Sequence, residues 1–153
     1  MIFTKHKITV KLYDSQKEMA ERAASDTAAK IEELLLVKDE INIIFAAAPS
    51  QNEFLASLVK ENRIDWSRIN AFHMDEYTGL EEDAPQRFGH FLKESIFGKV
   101  PFKQVNYING KALPSEECAR YEALLKQYPA DIVCLGIGEN GHIAFNDPHV
   151  ADF

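Results

Sequence analysis

The stretch that most constrains the fold is residues 131–148, DIVCLGIGENGHIAFNDP. It opens with an apolar run at residues 132–135, which is typical of a strand buried inside a parallel sheet. A turn with three glycines, Gly136, Gly138 and Gly141, comes next, and His142 follows directly. A buried strand that feeds a glycine turn carrying a histidine indicates a site for chemistry at the edge of a sheet.

Elsewhere in the chain, strand patterns alternate with helix patterns. Apolar or alternating runs predict strands at residues 8–13, 41–47, 69–74, 105–108 and 132–135. Helical spacing predicts helices that begin after Ser15 and Ser50, each with a glutamate three residues on as a capping box, and helices over residues 86–97 and 115–128. The alternation predicts one α/β domain over residues 1–153, with a doubly wound, mostly parallel, Rossmann-like sheet and helices on both faces.

Three polar or glycine-rich loops follow three of the predicted strands. They are Ala48-Pro49-Ser50, Asp75-Glu76-Tyr77 and residues 136–142. Because the carboxyl ends of parallel strands meet at one edge, we expect these loops to converge on a shared site. Asp75 and Glu76 are neighbours in an extended segment, so only one of the two carboxylates is expected to face that site.

Two other kinds of site compete for these residues. The three glycines match the GxGxxG fingerprint of dinucleotide-binding proteins, but Pro148 would stop any helix beginning near Gly141 within two turns. His73, Asp75, His142 and Asp147 are of metal-ligand type, yet their spacings match no compact metal signature.

Composition narrows the classes of partner. The formal net charge of −7 argues against general affinity for nucleic acid or for anionic membranes. The two cysteines, Cys118 and Cys134, form no CxxC pair, and the N-terminus lacks the apolar core of a signal peptide. We therefore expect a cytoplasmic protein with no membrane and no nucleic-acid partner.

Two longer segments carry a resemblance to a known family. Residues 72–80, FHMDEYTGL, and residues 135–148, LGIGENGHIAFNDP, resemble the glucosamine-6-phosphate deaminase (isomerase) family. The wider superfamily also includes 6-phosphogluconolactonases, but the MDEY and GHIAFN segments are similar to the deaminase branch. The match runs in order along nearly the whole chain.

The resemblance implies conversion of glucosamine-6-phosphate to fructose-6-phosphate and ammonia in amino-sugar catabolism, with no metal or organic cofactor. In the family a histidine opens the sugar ring, a role that falls to His142 here. An aspartate moves the proton from C2 to C1, which falls to Asp75. Asp147 stands where the family has glutamate, and Asn140 where many members have aspartate, so both are expected to orient His142.

The predicted phosphate loop departs from the family's pattern. The family has a glycine-rich loop with Ser or Thr before proline, whereas residues 46–52 are AAAPSQN here. Pro49 has no N–H to offer, so backbone N–H groups of the alanines and the hydroxyl of Ser50 are the expected donors. The predicted substrate-binding set is Ala47, Ala48, Ser50, Gly136 and Gly138.

The resemblance also implies that the family chain continues beyond the position of Phe153. We therefore expect this chain to be the N-terminal part of the family domain, lacking later strands and basic phosphate ligands. Such a sheet would have an open edge, bind a sugar phosphate weakly and self-associate, so the expected partners are a small sugar phosphate and a second copy of the chain.

Two alternative functions stay open at this point. One is a sugar-phosphate sensor without turnover, which the altered phosphate loop and Asn140 favour and which Asp75 and His142 oppose. The other is lactone hydrolysis by a related site. Release of ammonia from glucosamine-6-phosphate would separate the deaminase from both.

Overall fold

The computed structural model describes residues 1–144 and 146–150 of the chain. Phe145, in the GHIAFN segment, and Phe153 lie outside the described residues. In chain order the elements are β1 (Ile2–Lys5), β2 (Ile8–Lys11), α1 (Gln16–Leu35), β3 (Ile41–Phe45), α2 (Asn52–Leu58), β4 (Ile69–His73), α3 (Phe88–Leu92), β5 (Gln104–Asn106), α4 (Pro114–Gln127) and β6 (Ile132–Cys134). Single 3-10 turns precede α2 and β4, and α3 continues as a π-helix over Lys93–Phe97.

Four of the strands form a parallel sheet in the order β5-β4-β3-β6. In its register Phe45 is paired with His73 on one side and with Cys134 on the other. The strands β3, β4 and β6 therefore end level with one another. The predicted parallel sheet is confirmed, and the loops that follow these three strands leave from the same edge.

Helices cover both faces of this sheet, as predicted. One face packs against α1, α2 and the helix at residues 88–97, through a core that includes Ala28, Ile31, Ile43, Phe45, Leu55, Leu58, Ala71, Leu92 and Ile96. Phe72 points to the opposite face, since side chains alternate along a strand. There its ring lies 6.2 Å from the rings of Tyr121 in α4 and Tyr128 just after it.

The strand β6 is less buried than its apolar sequence predicts. Cys134 lies in the core, whereas Val133 is 47% exposed and Leu135 is 39% exposed. Because α4 packs over Phe72 in β4, it leaves the β6 side of that face uncovered within the part of the chain that the structure describes. No helix among the described residues is both long and apolar enough to cross a membrane.

The first predicted strand forms, but its expected place in the parallel sheet is wrong. Residues 8–11 do form a strand, but β2 pairs antiparallel with β1 in a separate two-stranded sheet and does not join the parallel sheet. The pattern explains the difference: residues 8–13 alternate apolar and polar side chains, which suits a strand with one solvated face. His6 makes the turn between the strands with φ of 55°.

One of the two predicted capping boxes forms its cap. The hydroxyl of Ser15 accepts the N–H of Glu18 at 3.1 Å and caps α1. Ser50 does not cap its helix, because the chain already turns at Pro49 and places Ser50 inside the 3-10 turn Pro49–Gln51. The residue preceding α2 is then Gln51, whose side chain makes no capping hydrogen bond.

These two serines provide a matched test of the cap. We expect S15A to lower the free energy of unfolding by about 1 kcal/mol, since a donor at the start of α1 loses its acceptor. S50A should change it by less than about 0.5 kcal/mol, as is usual for an exposed position without such a bond. Urea denaturation of both variants measures the difference, and equal losses would contradict this assignment of the caps.

Candidate active site

Three loops meet at the carboxyl edge of the parallel sheet. The chain runs from β3 to β4 and β5 on one side and returns to place β6 on the other side of β3. This reversal is a topological switch point, where open α/β sheets bind their ligands. A Cβ added to Gly136 would lie 3.3 Å from Nε2 of Gln51 and 3.6 Å from Oγ of Ser50, so the loops after β3 and β6 are in direct proximity.

Asp75 follows β4 at this edge. Its side chain is half-buried and makes no hydrogen bond to any described residue. Burial raises the pKa of the Asp75 carboxyl above its ordinary value, and the neighbouring Glu76 carboxylate raises it further. A carboxylate with a raised pKa and no hydrogen bond to a described residue is a stronger base than an ordinary aspartate and can accept a proton from a bound molecule.

Glu76 has the opposite environment. Its side chain is fully buried and accepts the N–H groups of Tyr77, Phe88 and Gly89 at 3.0, 2.9 and 3.0 Å. Nε of Arg87 lies 3.3 Å from the same carboxylate. Of the two adjacent acids, Glu76 therefore holds the start of α3 against the loop after β4, whereas the oxygens of Asp75 accept no hydrogen bond from the described residues.

His142, Asn140 and Asp147 form a connected cluster after β6. Nδ2 of Asn140 donates to Oδ1 of Asp147 at 2.8 Å, which fixes the orientation of the amide. Oδ1 of Asn140 then faces Nδ1 of His142 at 2.7 Å and also accepts the His142 backbone N–H at 3.1 Å. Because an amide oxygen only accepts, Nδ1 carries the proton in neutral His142 and Nε2 has a free lone pair.

Gly138 is part of this cluster through its backbone. Its N–H donates to the carbonyl of His142 at 2.9 Å. A Cβ at this position would lie 2.1 Å from Cε1 of the His142 ring, so only glycine lets the imidazole sit so close. Gly138 was predicted to bind substrate, and the structure gives it a contact with the predicted ring-opening histidine.

The loop after β3 presents the predicted phosphate donors. Ala48 is extended, with φ of −154°, and leads into the 3-10 turn at Pro49. The N–H of Gln51 is already bonded to the carbonyl of Ala48 at 2.9 Å. The backbone N–H groups of Ala47 and Ala48 have no acceptor among the described residues, which leaves them able to bind an oxyanion.

Asp75 and the His142 cluster lie on opposite sides of β3. Adjacent strands are about 4.8 Å apart, so the loops after β4 and β6 start roughly 10 Å from each other. Ala47 and Ala48 extend from β3 between them. The geometry suits a small molecule that spans the end of β3, with an acid–base group on either side.

The two competing kinds of site find no support. No helix follows Gly141 among the described residues, so the glycine turn does not have the context of a dinucleotide site. No group of three or more His, Cys, Asp or Glu within residues 1–144 and 146–150 is placed to hold a metal ion. Both ring nitrogens of His73 are engaged by protein groups, Asp75 and Ile108, which removes it as a ligand.

Three residues that support the loop of Asp75 were not identified from the sequence. Arg87 pairs with Glu76, Tyr121 binds the backbone of His73, and Glu117 accepts the N–H of Asn109 at 2.7 Å. Tyr121 and Glu117 lie on the buried side of α4, and their spacing in the sequence is that of ordinary core residues. A polar side chain inside an apolar strand, as at His73, is the one signal that pointed to partners of this kind.

The fold and the site define a class. The chain is an α/β protein with a parallel sheet, and the switch point of that sheet is flanked by an oriented histidine and by an aspartate without a hydrogen bond to any described residue. Residues 14–146 match the family model described as glucosamine-6-phosphate isomerases/6-phosphogluconolactonase. The chain belongs to this family.

Relatives and solved structures agree with this assignment. The chain is 38% identical over 127 residues to a glucosamine-6-phosphate deaminase of Listeria innocua, covering 82% of this chain and 54% of that protein. It is 39% identical over 119 residues to one of Bacillus cereus strain B4264, covering 77% and 45%. The chain thus spans about half the length of the curated relatives it matches.

Two solved structures are similar in fold. A monomeric glucosamine-6-phosphate deaminase superposes with a TM-score of 0.77 at 28% identity, covering 89% of this chain and 58% of that one. A 6-phosphogluconolactonase from Thermotoga maritima superposes with a TM-score of 0.76 at 25% identity, covering 88% and 61%. Both branches of the superfamily therefore share the architecture described above.

The role assigned to Glu76 can be tested by removing its charge. E76Q should lower the free energy of unfolding by about 3 kcal/mol. The NH2 group of the glutamine would face backbone N–H donors that it cannot accept, and Arg87 would lose its buried carboxylate partner. The exposed Glu82, whose side chain makes no hydrogen bond or ion pair with a described residue, provides the matched control E82Q. Denaturation curves should separate the two variants, and equal stability would show that the Glu76 bonds are not needed for folding.

Proposed function

We propose that this chain carries the acid–base centre of a glucosamine-6-phosphate deaminase, which converts an amino-sugar 6-phosphate and water to a ketose 6-phosphate and ammonia. The observation that carries the proposal is the presence of two acid–base groups on either side of β3. One is Asp75, whose pKa is raised by burial and which has no hydrogen bond to a described residue, and the other is His142, held in one tautomer. The family match and the names of the relatives support the same reaction.

His142 is the proposed group for opening the sugar ring. Ring opening takes the proton from the anomeric hydroxyl and delivers one to the ring oxygen. Nε2 of His142 has the free lone pair for the first transfer, and the protonated ring can make the second. Asn140 and Asp147 orient the imidazole and place a negative charge beside it, with Oδ1 of Asp147 at 3.6 Å from Nδ1.

Asp75 is the proposed base for isomerisation. It takes the proton from C2 of the open-chain sugar while O1 gains a proton from the substrate's ammonium group, giving an enolamine, and it returns the proton to C1. The product is an imine at C2, to which water adds before ammonia leaves. A half-buried carboxylate with a raised pKa suits this task because it can hold a proton between the two transfers.

The phosphate is proposed to bind at the start of the helical segment after β3. The unused N–H groups of Ala47 and Ala48 and the hydroxyl of Ser50 are the donors, and Gly136 allows close approach beside them. Helix N-termini favour anions through their free N–H groups and dipole. This placement would put the sugar over β3, between Asp75 and His142.

D75N tests the proposed base. The amide cannot take the C2 proton, so ammonia release by the protein should fall by about 1,000-fold or more while sugar-phosphate affinity stays within a few-fold. Binding is measured by calorimetry and turnover by ammonia release. If D75N keeps most of the wild-type rate, Asp75 is a loop acid and is not the catalytic base.

The same variant has an expected effect on stability. Since the folded-state pKa of Asp75 is raised, its carboxylate disfavours folding at pH values above that pKa, and the penalty disappears below the ordinary aspartate pKa of about 3.9. D75N should therefore raise Tm at pH 7, and the gain should vanish as the pH falls below about 4. A Tm at pH 7 below that of the wild type would contradict the burial argument.

N140D tests the proposed orientation of His142. A carboxylate beside the imidazole favours its charged form, so the limb of the rate–pH curve governed by His142 should move to higher pH. N146D adds the same charge in the same loop, where the wild-type amide bonds the carbonyl of Ile143 and not His142. Rate–pH curves that shift equally in the two variants would show a general charge effect only.

The lactonase alternative rests on the structural similarity to the Thermotoga maritima enzyme. It requires a histidine that activates water and needs no base at C2. Assay of the protein with glucosamine-6-phosphate and with 6-phosphogluconolactone separates the two activities. If the protein turns over only the lactone, it is a lactonase and the deaminase proposal is wrong. Binding of either compound without turnover would favour a sensor.

A further inference from the structure

We infer that His73 is the positioning residue for Asp75, acting as a neutral bridge between the loop after β4 and the loop after β5. Nδ1 of His73 lies 2.9 Å from the carbonyl oxygen of Asp75. Nε2 lies 2.9 Å from the backbone nitrogen of Ile108. The catalytic part of this inference rests on the proposed function, whereas its structural part concerns the bridge alone.

The two hydrogen bonds permit only one protonation state of the ring. The Ile108 N–H is a donor, so Nε2 must accept and carries no proton. The Asp75 carbonyl is an acceptor, so Nδ1 must donate. His73 is therefore neutral with its proton on Nδ1, and its ring is 1% exposed, which agrees with burial lowering its pKa.

The backbone of His73 is held as firmly as its ring. The hydroxyl of Tyr121 accepts the His73 N–H at 3.0 Å and lies 2.8 Å from the His73 carbonyl oxygen, to which it donates. This hydroxyl is buried between β4 and α4. Because the backbone of His73 is fixed, its ring can hold the peptide of Asp75, two residues beyond the end of β4, in a defined position.

The charged groups facing the His73 ring do not supply an alternative partner. Glu76 favours its protonation and Arg87 opposes it, and these two are already paired with each other. The bond to the Asp75 carbonyl is therefore what fixes the peptide that carries the proposed base. Since the Asp75 side chain itself has no hydrogen bond to a described residue, its aim depends on its backbone.

The two nitrogens can be tested separately. The amide nitrogen of asparagine takes roughly the place of Nδ1, so H73N can keep the bond to Asp75 and loses the bond to Ile108. The amide of glutamine reaches roughly the place of Nε2, so H73Q can keep the bond to Ile108 and loses the bond to Asp75. If His73 positions Asp75, turnover should depend on the hydrogen bond to Asp75 and not on the hydrogen bond to Ile108.

We expect H73Q to lower kcat for ammonia release by about 10- to 100-fold with KM nearly unchanged, as for a misplaced reacting group. H73N should keep kcat within about threefold of wild type. Its Tm should be no higher than that of H73Q, because H73N leaves the buried Ile108 N–H unpaired. The control H90N changes a half-buried histidine that makes no side-chain hydrogen bond to described residues, and it should leave both readouts unchanged.

A kcat of H73Q equal to wild type, or rates that simply follow Tm across the variants, would overturn the inference. If the wild type itself releases no ammonia, the proposed function fails, and the positioning is then judged by NMR. In that case ¹⁵N spectra should show His73 protonated on Nδ1, and H73Q but not H73N should move the pKa of Asp75 towards its ordinary value. A proton on Nε2, or identical Asp75 titrations, would overturn the bridge.

Discussion

The arrangement of the site depends on the buried carboxylate of Glu76. It accepts N–H groups from its own loop and from Phe88 and Gly89, which are first-turn donors that no helical carbonyl can reach. A negative charge at this end of a helix is also favoured by the helix dipole. The same group therefore starts α3, two residues later than its apolar pattern predicts, and ends the loop that carries Asp75.

Two adjacent carboxylates consequently have divergent roles. Glu76 has its oxygens saturated and is fixed, whereas Asp75 is half-buried, has a raised pKa and accepts no hydrogen bond from the residues that the structure describes. A group that is to take and return a proton must not be tied to fixed donors, because those bonds would favour the charged form and lower its basicity. The stability that Asp75 forfeits by burial is offset nearby, by Glu76 with Arg87 and by the hydrogen-bonded His73 and Tyr121.

The loop after β5 supports the loop after β4 through its backbone. The N–H of Gly79 donates to the carbonyl of Gly110 at 2.8 Å, and a Cβ on Gly110 would lie 2.2 Å from the carbonyl oxygen of Tyr77. Glycine is thus the residue that allows these two backbones to touch. Glu117 then fixes the turn from α4 through Asn109, so the loop after β4 is braced on both sides.

Much of the fold was predictable because the central strands and long helices have strong periodic patterns. Residues 41–45 and 69–73 are mostly apolar, with one polar residue in the first segment and two in the second, as suits buried parallel strands, and their order along the chain implies a common edge. The hairpin of β1 and β2 was missed because pairing partners are not encoded in the pattern of one strand. The predicted cap at Ser50 does not form because Pro49 turns the chain one residue earlier. The boundary of one domain over residues 1–153 stays a prediction.

The sequence singled out the residues that are proposed to react, but it did not indicate the residues that support them. Asp75 and His142 stand out because they follow strands in a polar or glycine-rich context, and the comparisons leave their roles as proposals. Tyr121 and Glu117 have the spacing of core residues on α4, and only the coordinates show that their polar atoms meet the backbones of His73 and Asn109. A hydrogen bond to a distant backbone has no signature in local periodicity.

Asn140 shows how a departure from a family pattern can keep part of its physical effect. Its Nδ2 is bound by the Asp147 carboxylate, so the amide cannot flip without placing two acceptors face to face. The negative charge then polarises the amide, whose oxygen is 2.7 Å from Nδ1 of His142, while the charge itself stays 3.6 Å away. A carboxylate at this position would both fix the tautomer and stabilise the imidazolium directly. The amide keeps the first effect in full and transmits the second in weakened form. The lone pair of Nε2 is therefore preserved, while an imidazolium formed in the proposed ring opening would receive less stabilisation.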